Sequence, residues 1–344
     1  MSLTVMVLLS VIILLALFVP FLSHKVEQEL EAFLFVLGVA AVSITGAWSW
    51  ELIKHALKEP IAISLAVLIT GLLFSKFKDK IVNLITFFEK KFGLKTTVFF
   101  IVFFLGLISS VITAIIAALV LCEIIAALRL NRKDTVHIIV MGCFAIGMGA
   151  VLTPLGEPLS TIVTGKLRGA PHYAHFFFLF NLLWKLIIPG LLAFSMLAVR
   201  IDGNQHNDEL ALMPVESAKD LAIRAGKVFL FVMALVFFGK GLTPLAEATI
   251  MKLPSWALFW ANSISAILDN ATLAAAEIAP AMTNSQLVYI LTALIVSGGF
   301  LIPGNIPNII CAAKFKIKSK EWAKAALPCG ITIMLIYFVI LSII

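Results

Sequence analysis

Three places in this sequence set polar groups inside long apolar runs. The first is Thr153-Pro154-Leu155-Gly156-Glu157-Pro158, a carboxylate held between a glycine and a proline. The second is Asp269-Asn270-Ala271-Thr272, preceded by Ser263 and Ser265. The third is Ile302-Pro303-Gly304-Asn305-Ile306-Pro307, with Asn308 directly after. A carboxylate at bilayer depth costs about 2.5–3.5 kcal/mol on translocon scales. It persists there with water, a cation, a proton or a partner. Glu157 and Asp269 therefore read as cation ligands or proton carriers, the alternative being helix capping or ion pairing. Asn270, Asn305 and Asn308 can accept from or donate to a bound species. Thr153, Ser160 and Thr161 offer hydroxyls at the first break, where they can equally serve loosened backbone. Carboxylate, amide and carbonyl oxygens together suit a hard cation. Glu157, Asp269 and Asn270 would be its ligands.

The elements that position these groups follow from composition. Hydrophobic residues make up 61% of the 344 and charged residues 13%, and the mean hydropathy is +1.08. Soluble domains carry about 25% charged residues, so this chain lacks the polar surface to cover a globule. It reads as an all-α polytopic membrane protein. At roughly 20 apolar residues per span, the length allows about eight to eleven membrane segments. The net charge of +7 fits cytoplasmic loops of a membrane protein and lies on no soluble module, which excludes nucleic acid as a partner. Cys122, Cys143, Cys311 and Cys329 sit in apolar runs without CxxC spacing and read as small buried hydrophobes. No HExxH or paired-ligand spacing supports a catalytic zinc site. Glu157 with Asp269 could imitate an aspartyl dyad, but neither lies in a protease motif. The chain is read as no enzyme and as needing no cofactor.

The apolar runs divide the chain. Residues 1–57 hold two spans, at roughly 3–22 and 31–50, the first read as a retained helix rather than a signal peptide. A third span covers roughly 58–75. Lys76 to Lys95 then reads as a basic amphipathic helix on the membrane surface, or a cytosolic linker helix. The run at about 96–128 is long for one span and has Gly106, Ser109, Ser110 and Thr113 near its middle. A re-entrant hairpin and a single tilted helix both fit it. A broken helix follows at about 135–168, then a span at 173–200. Residues 201–218 form a polar linker. The second half, 219–344, repeats the order: a span, an interrupted run at about 255–281, a broken helix at about 285–313, and a final span.

The halves also align. GAVLTPLGEPLSTI (149–162) lies over GGFLIPGNIPNIIC (298–311) without a gap, and AALVLCEI (117–124) over ATLAAAEI (271–278). Glu123 thus meets Glu277, and both could carry protons or serve structure. If both interrupted runs are hairpins, about eight crossings remain and both termini lie outside the cell. Lys25, the 76–95 cluster, Arg129, Arg132, Lys133, Arg200, Lys219, Lys314, Lys316, Lys318, Lys320 and Lys324 then fall in the cytoplasm, as the positive-inside rule requires. The two halves take opposite orientations. Inverted-topology repeats, each with a re-entrant helical hairpin and a broken transmembrane helix, are a signature of secondary transporters.

At TPLGEPLST, LDNAT and GGFLIPGNIPN the chain resembles a prokaryotic family of predicted cation transporters in the ion transporter superfamily, related to the NhaD-type sodium/proton antiporters. The resemblance covers essentially the whole chain. Pro154-Leu155-Gly156-Glu157 matches a Pro-Ile-Gly-Asp break, with Glu for Asp, and Leu268-Asp269-Asn270 matches a Leu-Asp-Asn. The anion-transporting branch uses Ser-Asn-Thr at its hairpin tips. Here the tips read Ser109-Ser110-Val111 and Asp269-Asn270-Ala271-Thr272, so Ser110 and Thr272 join Gly156 in the candidate site. The resemblance implies a homodimer in a prokaryotic inner membrane with an elevator-type transport domain. Sodium and protons are the implied cargo. A sodium-coupled or uniport carrier of a small anion stands as the alternative, and an intramembrane enzyme as a remote one.

Overall fold

Inside hydrocarbon every backbone N–H and C=O must find a partner within its own segment, so long apolar runs fold as helices. The computed structural model describes residues 2–23, 25–26, 29–128, 130–202, 218–249, 254–268 and 270–343. Its helices are α1 (Leu3–Leu22), α2 (Leu30–Thr45), α3 (Trp50–Phe92), α4 (Leu94–Ile112), α5 (Ala114–Ala127), α6 (Arg132–Ala150), α7 (Pro158–Lys166), α8 (Phe178–Ala198), α9 (Ala218–Thr249), α10 (Ser255–Ala261), α11 (Asn270–Glu277), α12 (Asn284–Ser297), α13 (Ile306–Phe315) and α14 (Ser319–Ile343). Short 3-10 turns cover Asn262–Ala266 and Ile302–Gly304. No strand occurs among the described residues.

Local signals set the boundaries. Ser2 and Ser49 accept from Val5 N and Leu52 N and so start α1 and α3. Thr283 and Gln286 form a reciprocal capping box at α12. Gly46 ends α2 in the left-handed region, at φ 65°. Among the described residues, six helices are long and apolar enough to cross a membrane: α1, α4, α6, α8, α9 and α14. Four shorter apolar helices accompany them: α2, α5, α12 and α13.

One expectation changes and one alternative falls. The span at 58–75 and the basic surface helix after it form one helix, α3, of 43 residues. At 1.5 Å per residue it is about 64 Å long, twice a hydrocarbon core. No glycine or proline lies between Leu72 and Phe92 to interrupt it. The run at 96–128 is not one helix, for α4 and α5 part at Thr113 and pack on each other.

Packing sorts the helices. α9 lies along α2 and α3, while α4 lies against α6 and α8. α6 is buried almost throughout, from Asp134 to Ala150 apart from His137. It meets α4 where Gly149 faces Gly106. A Cβ on Gly149 would fall inside the Gly106 carbonyl, so that crossing requires glycine. The short helices engage reciprocally: α5 packs on α13, and α11 packs on α7. Each contact thus joins the second arm of an interrupted run to the second half of the other broken helix. At one end Arg132 grips Glu321 through Nε (3.0 Å) and Nη2 (2.7 Å) and also donates to the Phe315 and Lys316 carbonyls. It thereby closes the C-terminus of α13.

Candidate functional site

The first break runs from Val151 to Glu157, between α6 and α7. Its carbonyls are served by neighbouring hydroxyls. Thr153 Oγ1 donates to the Ser110 carbonyl, joining the break to the end of α4. Thr161 Oγ1 donates to Pro154 O, and Ser160 Oγ donates to Glu157 O at 2.7 Å. Ala114 N donates to Gly156 O at 2.8 Å, which fastens the α4–α5 tip onto the break beside Glu157. The tip residue Thr113 has φ 75° and ψ 148°, a conformation almost confined to glycine. Its hydroxyl still caps α5 by accepting from Ile116 N at 3.4 Å.

Glu157 is buried, 6% exposed. It is the N-cap of α7, extended at φ −157° and ψ 162°, with Pro158 as the first helical residue. Proline suits that position because its missing N–H has no intrahelical role there. The carboxylate therefore stands at the positive end of a helix dipole.

The second break begins at Gly298 and ends at Asn305, the N-cap of α13. Asn305 is equally extended, at φ −155° and ψ 147°, and equally buried. The gapless sequence alignment pairs Asn305 with Gly156. The helix starts instead pair it with Glu157, one position on. Asn308 supports this break from below. Its Nδ2 donates to Gly298 O and Leu301 O, both at 2.9 Å.

These parts enclose a cavity of about 410 Å³. Thr113 and Ala114 contribute the tip, Gly156, Glu157 and Pro158 one helix start, and Asn305 and Ile306 the other. Cavities of roughly 300–1,000 Å³ hold small molecules, so the space admits an ion with part of its water shell. Of the sequence candidates, Gly156, Glu157, Thr161 and Asn305 meet here. Thr153 and Ser110 are bonded to each other just beneath. Asn308 acts on the backbone of the second break and is not part of the lining. Asn270 is buried at the first position of α11, also outside the lining, and among the described residues its Nδ2 has no hydrogen-bond partner. Asp269 and the Thr272 side chain lie outside the described residues.

Glu123 and Glu277 have different surroundings. Glu123 receives Lys314 Nζ at 2.6 Å across the α5–α13 contact, and both side chains are largely buried. Cys122 and Cys311 touch in the same contact, their sulfurs 3.2 Å apart. In the reciprocal α11–α7 contact, Lys166 Nζ donates to Ile278 O at 3.2 Å, while Glu277 accepts from Asn262 Nδ2 at 2.9 Å. Sequence reasoning placed Thr113 at the interruption but outside the site, and missed Asn262 and Lys314. Lys314 sits 148 positions after Lys166, nearly the repeat offset, and that spacing was the available signal.

Comparison with curated proteins finds no match. A family model described as a protein of unknown function (DUF1646) matches residues 6–344, and the chain belongs to that family.

Proposed function

We propose that this chain is a secondary active ion transporter, in the first place a sodium/proton antiporter working by alternating access. The observation that carries the reading is a buried carboxylate, Glu157, at a helix start that walls a cavity between two broken helices. A single carboxylate cannot hold a cation and a proton together, so the two compete and exchange follows. Asn305, the Gly156 backbone and the α4–α5 tip furnish neutral oxygens around it. Asp269, Asn270 and Thr272 complete the sodium shell in this reading, as the resemblance to NhaD-type antiporters implies.

The architecture we assign to that function is a pair of inverted-topology repeats. The α4–α5 and α10–α11 segments are re-entrant hairpins, α6–α7 and α12–α13 are broken transmembrane helices, and both termini lie outside the cell. Reciprocal packing of α5 on α13 and α11 on α7 supports this, because a two-fold relation within the membrane plane exchanges just those contacts. An elevator-type motion would carry the broken helices as a unit within a homodimer.

The test is sodium-dependent proton flux in proteoliposomes with a pH dye inside. Proton efflux driven by inward sodium, lost in Glu157→Gln, is the expected result. Wild-type flux in Glu157→Gln would remove that residue from the site. One observation favours a second reading, a sodium-coupled carrier of a small anion. Two helix N-termini, of α7 and α13, open onto the same cavity, and such ends attract anions. Sodium-driven uptake of a labelled oxyanion with no proton movement would establish it.

A further inference from the structure

Glu277 lies outside the cavity, at the end of α11, and is 1% exposed. Its matched residue Glu123 is neutralised by Lys314 at 2.6 Å. The lysine in the corresponding place, Lys166, reaches the Ile278 carbonyl. Glu277 Oε2 accepts from Asn262 Nδ2 at 2.9 Å. Two atoms are left over: among the described residues, neither Glu277 Oε1 nor Asn262 Oδ1 has a hydrogen-bond donor. Asn262 is 0% exposed, and Ser297 Oγ holds its backbone by donating to Asn262 O at 2.8 Å. Each buried acceptor left unmade carries a desolvation cost.

Both orphans are acceptors, and they belong to the two groups already joined by the other N–H···O bond. A carboxylic acid and a primary amide form a cyclic pair in which the amide N–H donates to one carboxyl oxygen and the acid O–H donates to the amide oxygen. A single proton on Oε1 therefore satisfies both atoms and removes the buried charge. We propose that Glu277 is a proton-binding site, its carboxyl held neutral by two-point pairing with the Asn262 amide.

Among the described residues no ion pair reaches Glu277. α7 brings Lys166, engaged as above. α12 brings Tyr289, whose hydroxyl donates to Leu341 O at 2.7 Å. α9 carries Lys219, Asp220 and Lys240, which are exposed, and Lys227, which pairs with Glu29 and Glu31; the side chains of its Arg224 and Glu247 lie outside the described residues. The 3-10 turn at Asn262–Ala266 and α10 carry no titratable side chain.

The proposal does not rest on the transport reading, because its test reads a proton in purified protein. Infrared spectra of the full chain in lipid nanodiscs at neutral pH should show the C=O stretch of a protonated carboxyl. Glu277→Gln should remove it, while Glu123→Gln leaves it, and Asn262→Leu should shift its frequency. Glutamine reproduces the neutral acid, donating to Asn262 Oδ1 and accepting from Nδ2, so Glu277→Gln should melt at the wild-type temperature. The folded state holds a proton that the unfolded chain releases, so wild-type stability falls as pH rises. Glu277→Gln should flatten that fall. A carboxyl band unchanged by Glu277→Gln would overturn the proposal. So would a wild-type melting temperature raised by sodium in a way that Glu277→Gln abolishes, for that is an ionised Glu277 holding a metal cation. Absent exchange activity with the Glu277 band intact would count against the transport reading alone.

Discussion

Glu157 and Asn305 start α7 and α13 in nearly the same extended conformation, φ −157° and −155°, and both line one cavity. One break ends in a carboxylate and is braced by hydroxyls from Thr153, Ser160 and Thr161. The other ends in an amide and is braced by two buried side chains, Asn308 and Trp322, whose Nε1 donates to Gly299 O at 3.1 Å. The shared backbone shows that the cap position is a matter of geometry. The different side chains divide the labour, with charge on one side and neutral polarity on the other.

The largest effect tests that division directly. Glu157→Gln keeps the side chain's size and should reduce proton–sodium exchange in proteoliposomes to background in a protein that still folds. Asn305→Ala removes one neutral contact and should weaken apparent sodium affinity about tenfold, the equivalent of about 1.4 kcal/mol. The swap Glu157→Asn with Asn305→Glu moves the charge to the matched cap. Partial recovery of exchange is expected if the two caps are equivalent toward the ion. None at all, in a folded double variant, would confine the equivalence to backbone.

Next in size is the Lys314–Glu123 pair. Lys314→Met leaves Glu123 largely buried without its counter-ion, and breaking such a pair costs about 3–5 kcal/mol. Chemical denaturation in mild detergent would read it. Adding Glu123→Gln should restore most of the loss. If the single and double variants are equally unstable, the lysine acts through packing and not through charge.

The two braces should then differ. Asn308→Leu leaves the Gly298 and Leu301 carbonyls without their donor, at about 1–3 kcal/mol each. Ser160→Ala removes one bond in a break that has others, worth about 1 kcal/mol. Thermal shifts of equal size would show that Asn308 holds its break no more firmly than one hydroxyl holds the other.

Much of this was legible in the residues. The apolar runs and their interruptions gave the helix order, because hydropathy and proline act locally. The cap at Glu157 was readable from Gly156 and Pro158. Three things were not. The continuity of α3 past Ser75 escaped because a polar, basic stretch without a breaker suits a surface helix and a long helix alike. The one-position shift that pairs Glu157 with Asn305 escaped because matching prolines dominate a gapless alignment, while the N-cap follows its break's first proline by three residues at Glu157 and by two at Asn305. Lys314 and Asn262 escaped because their partners lie 191 and 15 residues away, and sequence spacing does not announce tertiary contacts.

The smallest effect concerns the tip that covers the charged break. Thr113 has φ 75° and ψ 148°, where a β-branched residue carries a strain of order 1–3 kcal/mol. Against this stands its hydroxyl, which caps α5 through a long 3.4 Å bond. Replacing a capping threonine by glycine costs only a few tenths of a kcal/mol in most hosts. Thr113→Gly should therefore raise stability by about 1 kcal/mol, less what glycine adds to the entropy of the unfolded chain. The counterpart tip, at Asp269, lies outside the described residues. If strain at Thr113 holds the tip rigid over Glu157, the glycine variant should be at least as stable and yet leak sodium down its gradient without counter-moving protons. Unchanged coupling with increased stability would make the strain incidental to the site.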